Sequence, residues 1–476
     1  MADQQNQTPD REDIIEKMPM FSPTDAQALA KEKAELAELK GKGLLHRWGW
    51  YFRKAGPGWM QSALVLGSGS AMGSLFAGAF LEYRLLWVQP LAMLFGVIMF
   101  AAMSYQTLST GRRPFQVVKQ FIHPSVAWLW LAGALVSTVI WHIPQYALAA
   151  GMTDHMIKAV TGWQPTSTQQ VFVLIGLGFM FLGVSTAITW GYSSGYKGIR
   201  MYEQTLKALV WMITIAFALV IIRTTISGRV EWGRVLKGFI PTYIPTDKRG
   251  ISVLVALLGA ATGVNATFLL PYTLLARGWG KEHRGLSRFD LITGMFLPFC
   301  VITSLMVIAA GCTLYGRAEF GSNTTVLSPV TAASMLQEAG MGMFTSNIVF
   351  GLGVLGMALS TITMHMLLCG FVACEIFGVK PGSWKYRLAC LMPAPGMVGV
   401  ILWKYMGPWV AVPASAICGM LIPIAYIIFF VLNNNKKYLG DDKPHGTKAL
   451  VWNIAMLVAI TASVLWAGYY VYAQLL

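Results

Sequence analysis

Apolar residues run along this chain in long blocks, and eleven of these approach or exceed the roughly 20 residues that one bilayer crossing needs. They lie near 57–80, 85–109, 125–157, 170–192, 203–225, 251–276, 290–315, 342–377, 385–403, 407–433 and 449–475. The pattern predicts an all-α, polytopic membrane protein of about eleven transmembrane helices, numbered here as spans 1 to 11. Residues 1–55 are polar by contrast. Within them FSPTDAQALAKEKAELAELKGKG reads as a short charged helix, capped by Thr24 or Asp25 and stopped at Gly41 and Gly43. Its apolar stripe is thin (Leu29, Leu36, Leu39), so a solvated or membrane-surface helix is expected.

Two spans interrupt themselves. Span 1 contains VLGSGSAMGSLFAG, with Gly67, Gly69, Gly73 and Gly78 among three serines. Span 6 contains LLGAATGVNATFLLPY, with Gly259, Gly263, Asn265 and Pro271. Mid-helix glycine costs about 1 kcal/mol relative to alanine. Gly69 and Gly73 form a GxxxG pair, which alone fits close helix packing. Spans 1 and 6, however, hold corresponding places in two five-span halves, and paired Gly/Pro interruptions of that kind point to an inverted-repeat carrier with its site at the bilayer midplane. The expected substrate-binding residues are therefore Gly67, Ser68, Gly69 and Ser70 of span 1, with Thr262, Gly263 and Asn265 of span 6.

Composition strengthens the membrane reading. Of 476 residues 55% are hydrophobic and 12% charged, where soluble domains carry about 25% charged residues. The net charge is +15. Residues 1–55 hold nine acids and nine Lys/Arg, so the excess lies in the remainder. Placing the tail in the cytoplasm puts seventeen Lys/Arg in inner loops and ten in outer ones. Positive-inside bias accounts for the surplus without nucleic acid. The expected location is the cell (plasma or inner) membrane, with the N-terminus cytoplasmic and the C-terminus outside. The first twenty residues are polar and acidic, so no cleavable signal peptide is expected. The six cysteines sit in or beside apolar segments and read as reduced packing residues. No phosphate-binding loop, nucleophile triad or zinc motif is present, so neither an enzyme nor a nucleotide-driven pump is expected, and no cofactor. Asn323-Thr324-Thr325 fits a glycosylation triplet in an outer loop.

Ionisable groups inside spans are functional suspects. His142 in span 3 and His365 in span 8 occupy counterpart helices and are candidates for a proton relay or soft ligands, with Gln145 one turn from His142. Two hydrogen-bonded interhelical histidines are the plainer reading. Glu82, Asp154, Asp290 and Glu375 lie near span ends, where structural pairing is expected.

The stretch GPGWMQSALVLGSGSAMGSLFAGAFLEYRLLWV resembles the first-span signature of the natural resistance-associated macrophage protein (NRAMP) metal-ion transporters. Gly56-Pro57-Gly58, Ala77-Gly78-Ala79 and Leu85-Leu86-Trp87-Val88 match at family spacing, although Glu82 stands where the family has glycine. Leu275-Ala276-Arg277 also fits the family's ending of span 6. The resemblance implies a leucine-transporter-like fold of two five-helix repeats, about 56–225 and 251–433, plus an extra helix near 449–475. It also implies secondary-active, typically proton-coupled, transport of a divalent metal cation of the Mn, Fe or Mg class. Registered on the family pattern, its aspartate falls at Gly67 and its asparagine at Ser70. Its Met-Pro-His-Asn unit falls on residues 263–266 or 262–265. The span 3 acidic pair falls at Gln145 and Leu148, and the span 10 glutamine near Ser415. No carboxylate remains. Such a lining suits a monovalent ion, a hydrated ion or a neutral solute. The N–H groups of the second half-helix suit a carboxylate-bearing solute such as an amino acid. A transport-dead sensor or scaffold stands as a further alternative. The expected partners are the bilayer, the solute or metal ion, and a coupling proton or sodium ion.

Overall fold

The computed structural model describes residues 26–316, 328–406 and 411–475, and the regular structure among them is helical. Thr24, Asp25 and the Asn323 triplet lie outside the described residues. Local chemistry marks many boundaries. Proline, whose missing N–H costs nothing in the first turn, opens the helices at Pro57, Pro114, Pro124 and Pro329. Left-handed Gly111, Gly162 and Gly378 close spans 2, 3 and 8.

Eight described helices are long and apolar enough to cross a membrane, and two bent pairs raise the number to ten. Span 1 is such a pair, Pro57–Val65 and Ser68–Leu81, bent by 56°. Spans 2 to 5 are Val88–Thr110, Pro124–Thr161, Ser167–Tyr192 and Tyr196–Ile226. Span 6 is Lys248–Ala261 and Val264–Ala276, with Thr262 and Gly263 extended between them. Span 7 runs Lys281–Thr313 through a wide turn at Leu291–Phe296, just before Pro298. Span 8 is Phe344–Phe377 and span 11 is Gly446–Leu475. Span 10 is Ala411–Asn433, followed by a sharp bend into Lys436–Asp442. The segment expected to be span 9 is instead two short helices, Trp384–Ala389 and Gly399–Met406. Between them Pro393 and Pro395 interrupt the backbone hydrogen bonding.

Span 6 is fully enclosed, whereas spans 4 and 11 expose most of their surface. Span 1 packs on spans 6, 7 and 8, and span 3 packs along span 8. The polar groups near span ends are paired. Arg113 Nη1 lies 3.1 Å from Glu375. Lys158 Nζ lies 2.8 Å from Asp154. Glu82 meets Arg234, and Asp290 accepts the N–H groups of Gly56 (3.2 Å) and Gly58 (2.7 Å) at the start of span 1.

The N-terminal helix, Ala26–Glu38, is docked rather than solvated. Its Glu32 is 1% exposed. That carboxylate accepts from Arg277 Nη2 (3.2 Å to each oxygen), Trp279 Nε1 (3.0 Å) and the Tyr196 hydroxyl (2.7 Å). Burial alone would push the Glu32 carboxyl up, but Arg277, Tyr196, Lys54 and Trp279 together hold it below the ordinary carboxylate range. Arg277 also approaches Glu203 of span 5 at 3.4 Å. The helix Leu44–Lys54 is held alongside, its last carbonyls capped by Arg200 and Lys207. One buried ionic knot thus ties the N-terminal helix to spans 5 and 6.

Candidate functional site at two helix breaks

Span 1 stops being helical at Leu66 (φ −83°, ψ 71°) and Gly67 (φ −125°, ψ −161°). Neither angle demands glycine; space does. A Cβ on Gly67 would stand 2.7 Å from Thr361 Oγ1 and 3.0 Å from Gln145 Nε2. A Cβ on Gly69 would fall 1.9 Å from the Trp141 ring. The bared backbone is met by neighbouring side chains. The Thr361 hydroxyl lies within reach of the Met357 carbonyl of its own helix (2.9 Å) and, across the break, of the carbonyls of Ala63 (3.1 Å), Leu64 (3.3 Å) and Leu66 (3.4 Å). Ser360 donates to Ala63 O at 3.1 Å. Ser70 Oγ accepts the Gly67 N–H at 3.0 Å. Gln145 Oε1 accepts the Ser68 N–H at 2.9 Å while Nε2 donates to Ser68 Oγ at 2.9 Å. Spans 3 and 8 therefore brace the break in span 1.

In span 6 the break is shorter. Asn265 Oδ1 accepts the Ala266 N–H at 2.9 Å. Thr262 Oγ1 accepts from the Tyr426 hydroxyl of span 10 at 3.2 Å. Gly259 sits where span 10 crosses, since a Cβ there would lie 2.2 Å from the Ser415 carbonyl.

Between the breaks lies a small cavity of about 30 Å³. Gly67, Gly69, Ser70, Gly263, Asn265, Gln145 and His365 line it. Four other expected residues stand behind that lining. Ser68 is held by Gln145, Ser415 backs Gly69, and Thr262 faces a separate apolar cavity toward spans 2 and 11. His142 meets His365, Nδ1 to Nδ1 at 3.3 Å, so one ring donates and the other accepts. His142 Nε2 is buried with no partner among the described residues. Gly259, singled out in sequence only as an interruption of span 6, completes the walls with Thr361, Trp141, Leu64, Val65 and Ala260, which were missed from sequence. Thr361 lies four residues before His365, on the same helix face, which places it near the cavity but does not reveal its reach to span 1.

No carboxylate lines the cavity, and the described residues contain no cluster of three His, Cys, Asp or Glu able to hold a metal ion. What the cavity offers is hydroxyls, two carboxamides and an imidazole. The first half-helices of spans 1 and 6 point their C-terminal, partially negative ends at it, an arrangement that favours cations. The opposing N–H groups of Gly67, Ser68 and Ala266 are already taken, as are the carbonyls of Ala63, Leu64 and Leu66 in span 1, which leaves the end of the first half of span 6 as the main exposed negative pole.

The sequence profile described as natural resistance-associated macrophage protein-like matches residues 58–468. This chain belongs to that NRAMP family. The divalent metal cation transporter MntH of Brucella suis is 23% identical over 448 residues, 91% of each chain. The metal transporter Nramp6.2 of Populus trichocarpa is 24% identical over 411 residues, 83% of this chain and 70% of its own. Among solved structures, an Eremococcus coleocola manganese transporter superposes with a TM-score of 0.65 at 13% identity, covering 89% of this chain and 88% of that one. Mhp1, a nucleobase-cation-symport-1 family transporter, superposes at 0.52. The fold is that of the leucine-transporter-like carriers. The volume around Gly67 is taken by Thr361 and Gln145.

Proposed function

We propose that the protein is a secondary-active carrier of a divalent metal cation, which passes between the breaks of spans 1 and 6 with part of its water shell. Family membership and the metal-cation activities named for its relatives supply the cation. The cavity lining carries the rest: neutral hydroxyl, carboxamide and imidazole groups surround the space between the two breaks, with no carboxylate to replace the ion's whole water shell. Hard ions that dehydrate reluctantly, magnesium above all, suit hydroxyl and carboxamide partners that bond to metal-bound water. Gly67, Gly69, Ser70, Gly263, Asn265 and Gln145 form the proposed contact surface, with Ser68, Thr262 and Ser415 supporting it.

We assign the coupling ion as a proton, with His365 at the cavity and His142 behind it as the relay. A single proton added at the free ring nitrogen of the donating histidine leaves its Nδ1–H bonded to the neutral partner ring, so the pair can hold one proton as a shared charge. The body, about 56–476, sits in the cell membrane with its polar tail (1–55) inside and its C-terminus outside, as the Lys/Arg distribution favours.

Initial uptake rates in proteoliposomes test the hydrated-ion reading. A site binding the naked ion through nitrogen and neutral oxygen groups separates softer manganese from magnesium, whereas a site reading metal-bound water treats the two alike. Magnesium and manganese are expected within about tenfold of each other. Manganese uptake with magnesium excluded would overturn the hydrated form of the proposal.

A further inference from the structure

A second and larger cavity, about 990 Å³, lies away from the transport site. It opens between span 2, the start of span 7 and the segment leading into span 11. Its depth is apolar, built by Val97, Ile98, Leu291, Ile292, Val451 and Trp452. Beyond it the outward faces of spans 7 and 11 continue as greasy surface: Ile292, Leu297, Val451 and Ile454 are each about half exposed. The mouth is basic, with Arg284, Arg288, Lys443 and Lys448 set against Asp441 and Asp442. Asp442 is already neutralised by Lys281 at 2.5 Å and Arg284 at 2.9 Å. Arg284 is held further by the Ser109 hydroxyl and the Tyr105 ring. Among the described residues Lys443 and Lys448 have no ion-pair partner, and Arg288 makes only a 3.4 Å contact to the Arg284 carbonyl. This mouth is at the same end of the bundle as the N-terminal helix, since Lys33 pairs with Glu282 three residues after Trp279.

We propose that this cavity is a binding site for an anionic phospholipid of the leaflet on the N-terminal side. Arg288, Lys443 and Lys448 hold the phosphate, and an acyl chain lies along Ile292, Val451 and Trp452. The two features are matched in the right order. Basic groups at headgroup level above an apolar wall complement an acidic lipid, while a soluble phosphate would leave the wall uncovered.

The test uses the purified full chain, with thermal unfolding and native mass spectrometry in dioleoyl phosphatidylglycerol, dioleoyl phosphatidylcholine or glycerol 1-phosphate. Phosphatidylglycerol is expected to stay bound and raise the unfolding temperature; the other two are not. The triple variant Arg288→Ser, Lys443→Ser, Lys448→Ser is expected to weaken phosphatidylglycerol binding about fivefold per charge removed. A charge-matched control at the other end of the bundle (Arg223→Ser, Lys237→Ser, Lys248→Ser) is expected to leave it unchanged. Equal retention of phosphatidylcholine, full retention of phosphatidylglycerol by the triple variant, or an equal effect of glycerol 1-phosphate would each overturn the proposal. None of these readouts depends on metal transport.

Discussion

Individual residues at the breaks are chosen for volume as much as for chemistry. Gly69 is the sharpest case, because the Trp141 ring fills the place of its Cβ. Gly69→Ala is expected to cost about 1–3 kcal/mol through overpacking, seen as a lower unfolding temperature, and to slow uptake by pushing Trp141 into the cavity. Glu82 is the reverse case. It is the only described non-glycine residue with positive φ (55°). Such a conformation costs about 1–3 kcal/mol, while its ion pair with the half-exposed Arg234 returns less than about 1 kcal/mol. Glu82→Gly is therefore expected to raise stability by about 1 kcal/mol, measured by denaturation. The glycines of the breaks were legible in sequence because helix-breaking residues stand out in an apolar run. Thr361 was not, because a threonine inside a helix usually bonds back to its own turn, as Thr303 does, and nothing local says that Thr361 also reaches across to span 1.

At the scale of elements, ten of the eleven predicted spans correspond to observed helices or bent pairs. The exception failed because apolar character survives where the prolines at 393 and 395 break the helix. The N-terminal helix was legible as a helix but not as a docked one. Its charged pattern reads as solvated, and the partner that buries Glu32 is Arg277, 245 residues away. Glu32→Ala is expected to weaken docking by about 3 kcal/mol, since it leaves the buried Arg277 with Glu203 alone. Hydrogen exchange should then lose protection over residues 26–38 while spans 2 and 3 keep theirs. The sign with pH follows from the lowered Glu32 carboxyl. Its contribution is fully present above the ordinary carboxylate value of 4.5 and is lost as pH falls further, through the folded value. Docking should thus be unaffected between pH 7 and 5. Loss of protection in that range would show that Glu32 does not hold the helix.

For the whole molecule, the account rests on two helices that part inside an enclosed bundle and face each other across a neutral cavity. Fold and family were readable from the paired interruptions and the first-span signature. The cavity's occupant was not, because its lining depends on how Gln145, Thr361 and Asn265 converge from three different spans. The most direct test is uptake of magnesium and manganese into proteoliposomes by the wild-type chain and by Asn265→Leu, with matched unfolding temperatures to verify folding. Saturable uptake of both ions by the wild type, reduced at least tenfold in the variant, is the predicted result. No divalent uptake by the wild type, or undiminished uptake by a folded Asn265→Leu protein, would contradict the account.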